Sequence, residues 1–206
     1  MIKNVVFDVG NVLVDYLPLD YIMSLGFDSE KANLLLMKTF GHDLWKEHDR
    51  GIYSHDELWD IFEQQGHEYA LDIRIIRDGW WPDKMPLIDE SADFLIECNN
   101  RGYNTYLLSN FNAELFEHVV KNKFSVLSQV KGAILSGAEK MVKPDPAIYK
   151  LLLERFKLLP DETVFIDDRP ENIEAALALG IHGIVYKNPT QMKQDFAVIT
   201  DRAKSS

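Results

Sequence analysis

The sequence predicts an α/β protein built on a parallel, doubly wound sheet, with a helical segment interposed after its first strand. Three observations predict it. An apolar run, Val5-Val6-Phe7, opens the chain and stops at Asp8 and Gly10-Asn11, the pattern of a buried strand that presents a carboxylate at its C-terminal edge. From Ile88 onward, short apolar runs alternate with stretches of helical periodicity, the rhythm of strands joined by crossover helices. Between these regions, Asp28 to Gly79 carries only helical signals and is longer than an ordinary strand-to-helix crossover.

Leu13 to Leu25 contains Asp15, Pro18 and Asp20 and reads as a crossing away from the sheet. Ser29 to Phe40 is apolar at helical spacing, and Ser54-His55-Asp56-Glu57 is a capping box before a helix that ends near Gly66. Asp43, Glu47, His48 and Asp49 share another predicted helix beside Arg50, and Tyr69 to Arg77 is a further one. Trp80-Trp81-Pro82 and Pro86 mark the return to the core, because proline ends helices and fixes bends. Ile88 to Asn100 reads as a helix stopped by Gly102, Tyr103 to Leu108 as the second strand, and Ala113 to Lys123 as the helix after it. Gly132 to Leu135 is the third strand, and Pro144 and Pro146 open a helix to Phe156. Thr163 to Ile166 is the fourth strand, Glu171 to Leu179 a helix closed by Gly180, and Ile181 to Tyr186 the fifth strand. Asp195 to Ser206 reads as a last, fraying helix. Residues 1–15 and 82–206 then form the core, and residues 16–81 an inserted helical cap.

At 206 residues and 46% hydrophobic content the chain can bury one good core with a small insert. The formal net charge of -11 argues against a nucleic-acid surface, which needs clustered Lys and Arg, and means that an anionic substrate requires a local positive site. Cys98 is the only cysteine, which excludes an intrachain disulfide and a cysteine metal cluster and fits a reducing, cytoplasmic setting. Met1 leads straight into a core strand without a secretory signal pattern, and no apolar run approaches a membrane span.

Four segments carry chemistry. Asp8 at a strand end is a candidate nucleophile, since a carboxylate attacks phosphorus when a cation and donors offset the charge on the phosphoryl oxygens. Ser109, with Asn110 beside it, offers a hydroxyl to such an oxygen. Lys143, ahead of Pro144-Asp145-Pro146, can neutralise both Asp8 and a transferred phosphate. Asp167-Asp168 places two carboxylates at a strand end, where they repel each other unless a hard cation joins them. Each segment falls at the C-terminal end of a predicted strand.

In these segments and in their order the chain resembles the haloacid-dehalogenase-like superfamily of aspartate-nucleophile phosphohydrolases, over nearly its whole length. The resemblance implies a Rossmann-like core with a helical cap after the first strand, magnesium, and an aspartyl-phosphate intermediate. It implies that Asp8 is nucleophile and metal ligand, that the Gly10 carbonyl is a second ligand, and that Asp168, with Asp167 near it, completes the protein's share of the site. Ser109 and Lys143 would stabilise the phosphoryl group, with Asn110 also contacting substrate.

The chain departs from the family pattern at one place. Most phosphatases of the superfamily carry a second Asp two residues after the nucleophile, as acid and then base, and this chain has Gly10. Acid–base help is typically worth about 10²–10⁴-fold, a small part of the acceleration such hydrolyses can reach, so its loss slows the chemistry without abolishing it. The Gly10-Asn11 wording resembles a subgroup typified by bacterial α-D-glucose-1-phosphate phosphatase. An anomeric oxygen leaves more readily than an ordinary alcohol, which makes a sugar phosphate such as a hexose 1-phosphate the leading substrate class. Asp43, Glu47, His48 and Asp49 are the places from which a substitute acid could come. Trp45, Trp59, Trp80 and Trp81 concentrate in or beside the insert, for packing or to line a substrate pocket. Two other functions compete: a phospho-ligand-binding protein on a degenerate scaffold, motivated by Gly10, and a metal-free 2-haloacid dehalogenase, against which Asp167-Asp168 counts.

Overall fold

The first strand, β1 (Asn4–Phe7), is buried at every position because it lies in the middle of a sheet covered on both faces. The computed structural model describes residues 1–205. After β1 come α1 (Pro18–Ser24), α2 (Ser29–Lys38), α3 (Asp43–Asp49), α4 (His55–Gln65) and α5 (Ala70–Asp78), all before the second strand. The core resumes with α6 (Asp89–Asn100), β2 (Asn104–Ser109), α7 (Ala113–Asn122), β3 (Gly132–Leu135), α8 (Ser136–Glu139) and α9 (Pro146–Phe156). It ends with β4 (Thr163–Asp167), α10 (Pro170–Leu177), β5 (His182–Val185) and α11 (Pro189–Ser205).

The five strands form one parallel sheet in the order β3-β2-β1-β4-β5. Because side chains alternate along a strand, each strand feeds two cores. Val5, Phe7, Leu107, Val164 and Ile166 join Phe94, Leu115 and Phe196 on one face. Val6, Leu108, Ile134 and Phe165 meet Ile148, Leu152 and Ile173 on the other. The sheet is therefore doubly wound, and the α/β expectation holds.

The helical insert leaves and re-enters at one seam. Asp15 N donates to Pro86 O at 2.9 Å and Ile88 N to Leu13 O at 2.9 Å, so the outgoing and returning chains pair side by side. The capping box at Ser54 and Glu57 forms as read, satisfying amides that a helix start leaves open. Three elements differ from expectation. Leu13 to Leu25 reads as a crossing, whereas Pro18, suited to a first helical turn, opens α1 within it. The last helix begins at Pro189 rather than Asp195, because Asn188 Oδ1 caps Gln191 N at 2.9 Å and Met192 and Phe196, one turn apart, are buried against the sheet. The short α8 carried no sequence signal of its own; Lys140 ends it in the left-handed region at φ 59°. Among the described residues no helix is long and apolar enough to cross a membrane.

Candidate active site

The strands β2, β1 and β4 lie side by side, so whatever follows their C-terminal ends converges where the winding of the sheet reverses. Ser109 is the last residue of β2, Asp8 follows β1, Asp167 ends β4 and Asp168 comes next. Lys143, read as a strand-end residue, instead arrives from the loop between α8 and α9, because the short α8 intervenes after β3. Its Nζ lies 2.9 Å from Asp8 Oδ1 and 2.6 Å from Asp167 Oδ2, and donates to Leu108 O at 2.9 Å. An ammonium has three donors, and all three are engaged.

The two neighbouring carboxylates on β4 have different surroundings. Asp167 is fully buried and does not line the cavity above it. Besides Lys143, it accepts from Asn172 Nδ2 at 2.9 Å on both oxygens and from Arg169 N at 2.9 Å. Asp168 faces the cavity, and its Oδ2 accepts from Asn11 Nδ2 at 3.1 Å. Burial raises its pKa, with the Asn11 bond opposing. Burial likewise pushes Asp8 up to about 6, against the pull of Lys143 and with the charge of Asp167 adding to the rise.

Asn110, expected to contact substrate, also binds the main chain of Lys143 through its amide. It donates to Lys143 O at 3.0 Å and accepts from Lys143 N at 2.8 Å, so it braces the loop that delivers the lysine while lining the cavity. Asn11 was missed as a site residue. It adopts φ 56°, a left-handed conformation that Asn tolerates, and from there its side chain ties Asp168 to Tyr16 N. Its place after Gly10 in a turn was the available signal.

A metal ion is implied by the carboxylates, and the donor set fits one. Asp8, Asp167 and Asp168 offer oxygens that all lie within 4.8 Å of one another. The bridge between Gly10 and Val14 uses the Val9 carbonyl and the Asn11 amide, leaving the Gly10 carbonyl out of that pairing. Such an all-oxygen set suits a hard divalent cation.

Above these groups lies a cavity of about 510 Å³, within the range of small-molecule sites. Asp8, Gly10, Ser109, Asn110, Lys143 and Asp168 all open onto it from the sheet. The insert supplies the opposite wall, including Trp45, Asp49 and Arg50, with Trp81 beside them at its exit. Phe40 packs on Trp45 and Trp81 at 4.6 and 5.6 Å between ring centroids, holding both against the cavity. Trp59 is instead fully buried in the core, and Trp80, at φ 53°, bonds His118 at 3.1 Å outside the cavity.

The acidic helix of the insert, α3, splits its residues by direction. Asp43 is exposed, Glu47 pairs with Arg50 at 3.3 Å, and Asp49 opens onto the cavity. His48 points inward, between Trp45 and His55, with both ring nitrogens unpartnered, and does not line the cavity. Burial lowers its pKa from 6.5 to about 3, helped by the charge of His55. Burial lowers His55 from 6.5 to about 4, with Asp56 opposing and Arg77 adding. Both rings thus bind a proton in the unfolded chain before they do in the folded one, so stability falls as pH drops from about 6.5 toward 4. His48→Phe is expected to weaken that acid sensitivity, read as a smaller change in the urea midpoint between pH 7 and pH 5 than in the parent.

The chain is similar to known proteins. The haloacid dehalogenase-like hydrolase family model matches residues 2–180. A D-ribitol-5-phosphate phosphatase from Bacteroides thetaiotaomicron is 27% identical over 208 residues, covering 97% of this chain and 98% of that protein. A sesquiterpene phosphatase from Aspergillus oryzae is 26% identical over 186 residues, 88% of each chain. The crystal structure of a haloacid-dehalogenase family enzyme from Bacteroides thetaiotaomicron, in complex with magnesium and inorganic phosphate, is 27% identical with a TM-score of 0.72 and covers 91% of this chain and 96% of that one. With the family model spanning most of its length and the parallel core in place, the chain belongs to the haloacid dehalogenase-like hydrolases.

Proposed function

We propose that the protein is a magnesium-dependent phosphatase of small phosphate monoesters, acting through an aspartyl-phosphate on Asp8. The observation that carries this reading is the juxtaposition of Asp8 and Lys143 at 2.9 Å, beside Asp168, at the floor of the cavity. Asp8 attacks phosphorus while Lys143 and the Ser109 hydroxyl take up charge on the phosphoryl oxygens. Asp8, the Gly10 carbonyl and Asp168 would hold the cation, which supplies further charge neutralisation when bound. Asp167 belongs to this set through its closeness, yet its bonds to Lys143 and Asn172 make it first the group that fixes the lysine.

Residues 16–81 act as the cap that covers the substrate. Trp45 and Trp81 offer aromatic faces of the kind on which sugar rings stack, and the Gly10-Asn11 wording keeps the resemblance to glucose-1-phosphate phosphatases. Both support a sugar phosphate, with a hexose 1-phosphate foremost. A buried single thiol, Cys98, and an acidic chain suit a reducing cytoplasm and a soluble metabolite rather than nucleic acid or membrane.

The test is phosphate release from a panel of sugar phosphates, including α-glucose 1-phosphate, with magnesium and then with chelator. Turnover that chelator removes is expected, ranked with the 1-phosphate high. No turnover on any ester, in protein shown to bind magnesium, would make it a binding protein on this scaffold. Chloride release from a 2-haloacid without metal would move it to the dehalogenases.

A further inference from the structure

Cleaving an alkyl phosphate leaves an alkoxide unless a proton reaches the departing oxygen, and the segment that carries Asp8 has none to give, because Gly10 stands there. Space is not the reason. A Cβ built at position 10 would meet no atom within 4 Å, and the backbone there is outside the left-handed region. The proton must come from another wall of the cavity.

Four carboxylates line that cavity: Asp8, Glu47, Asp49 and Asp168. Three are committed, Asp8 to Lys143, Asp168 to Asn11, and Glu47 to Arg50. Asp49 alone has no cation and no hydrogen-bond donor among the described residues; its nearest approach is His48 Nδ1 at 3.9 Å, on a ring that burial keeps neutral. Its side chain remains 27% exposed, so it can meet a ligand.

The main chain around it is fixed from the core. His48 O accepts from Asn112 Nδ2 at 3.3 Å, Asp49 O from the Ser136 hydroxyl, and Gly51 O from Lys140 Nζ. Gly51, at φ 75°, lies so close to Gly137 that an added Cβ would sit 2.2 Å from its carbonyl oxygen. The C-terminal end of α3, with Asp49 on it, therefore cannot drift from the core without breaking three bonds.

Resting on the phosphatase reading, we infer that Asp49 is the acid that protonates the leaving oxygen and then the base that activates water. In the first step Asp8 Oδ forms a bond to phosphorus, the bond from phosphorus to the leaving oxygen breaks, and the proton on the Asp49 carboxyl passes to that oxygen. In the second, water attacks phosphorus and gives its proton to the Asp49 carboxylate, while the bond from phosphorus to Asp8 breaks and phosphate departs. The electrostatic setting agrees. Burial raises the pKa of Asp49 well above the usual carboxylate range, as a group that must carry a proton near neutrality requires. Its surroundings are Tyr16, whose own hydroxyl is pushed up by burial and by the Asp49 charge, His55 from α4 behind His48, and Lys140 at the end of α8, whose ammonium is turned to Gly51.

The test compares the parent and Asp49→Asn on two esters with magnesium: 4-nitrophenyl phosphate, whose leaving group needs no proton, and a primary alkyl phosphate, whose leaving group does. The expected result is an alkyl kcat lower by about 10²–10⁴-fold with a far smaller change on the aryl ester. Retained aryl turnover also shows that the variant is folded. Recovery of alkyl turnover in the double variant Gly10→Asp, Asp49→Asn would support it further. Equal losses on both esters, or no loss on either, with an active parent overturn the role of Asp49 and leave the phosphatase reading intact. An inactive parent overturns the phosphatase reading and this inference with it.

Discussion

Asp8→Asn is expected to reduce phosphate release to the uncatalysed background, a loss of at least ~10⁴-fold judged by what removal of an essential nucleophile costs other enzymes. The amide keeps an oxygen near the cation and keeps the shape, but its nitrogen lone pair is delocalised and its oxygen is a poor nucleophile. Folding should not suffer. Burial holds the Asp8 pKa up, which means that the folded, metal-free protein disfavours the charge that the amide removes. The thermal midpoint without metal should therefore be no lower than the parent's. Retained phosphate release, measured with chelator controls, would sink the assignment of Asp8 as nucleophile.

Lys143→Met is expected to damage both stability and activity. Three carboxylates lie within 4.8 Å of one another around the ammonium, and Asp167 is fully buried. Removing one partner of a buried ion pair typically costs about 3–5 kcal/mol, because the remaining charge keeps its desolvation and loses its counterion. Asn172 and the Arg169 amide would still serve Asp167, so the chain should fold with a lowered urea midpoint. Turnover should fall by about 10²–10³-fold, the scale of losing a preorganised group aimed at developing charge. Magnesium should recover more midpoint in this variant than in the parent, since a cation beside Asp8 and Asp168 offsets part of what the lysine supplied. An unchanged midpoint would show that Lys143 is not the counterion of the buried pair.

Much of this architecture is legible from the chain because strands buried on both faces must be apolar and must stop where polar groups appear. That is why the readings of Asp8, Ser109 and Asp167-Asp168 as strand-end groups agree with the parallel sheet. What the chain does not spell out is direction. Asp167 and Asp168 are adjacent, and only their orientations make one a buried partner of Lys143 and the other a cavity group. Asn110 reads as a donor to substrate, and the chain does not announce that its amide also makes one donor and one acceptor bond to the backbone of Lys143, far along the chain. On α3 the charge run gave four acidic or basic candidates without ranking them. A quarter-turn of helix separates His48, sealed among aromatic rings, from Asp49, open to the cavity. Ser136 carried no local signal, because its role is to receive a loop from the insert.

The three hydrogen bonds that hold residues 48–51 to the core all end on main-chain carbonyls. Peptide oxygens are the same whatever side chains flank them, so this clasp does not depend on which residues stand at positions 46, 47 and 50, although each of these opens onto the cavity. Substrate preference can therefore be rewritten there while closure keeps its register. Gly51 is the exception, because its contact with Gly137 admits no side chain. Evolution or a directed library has in this segment three positions free to vary beside a latch that does not.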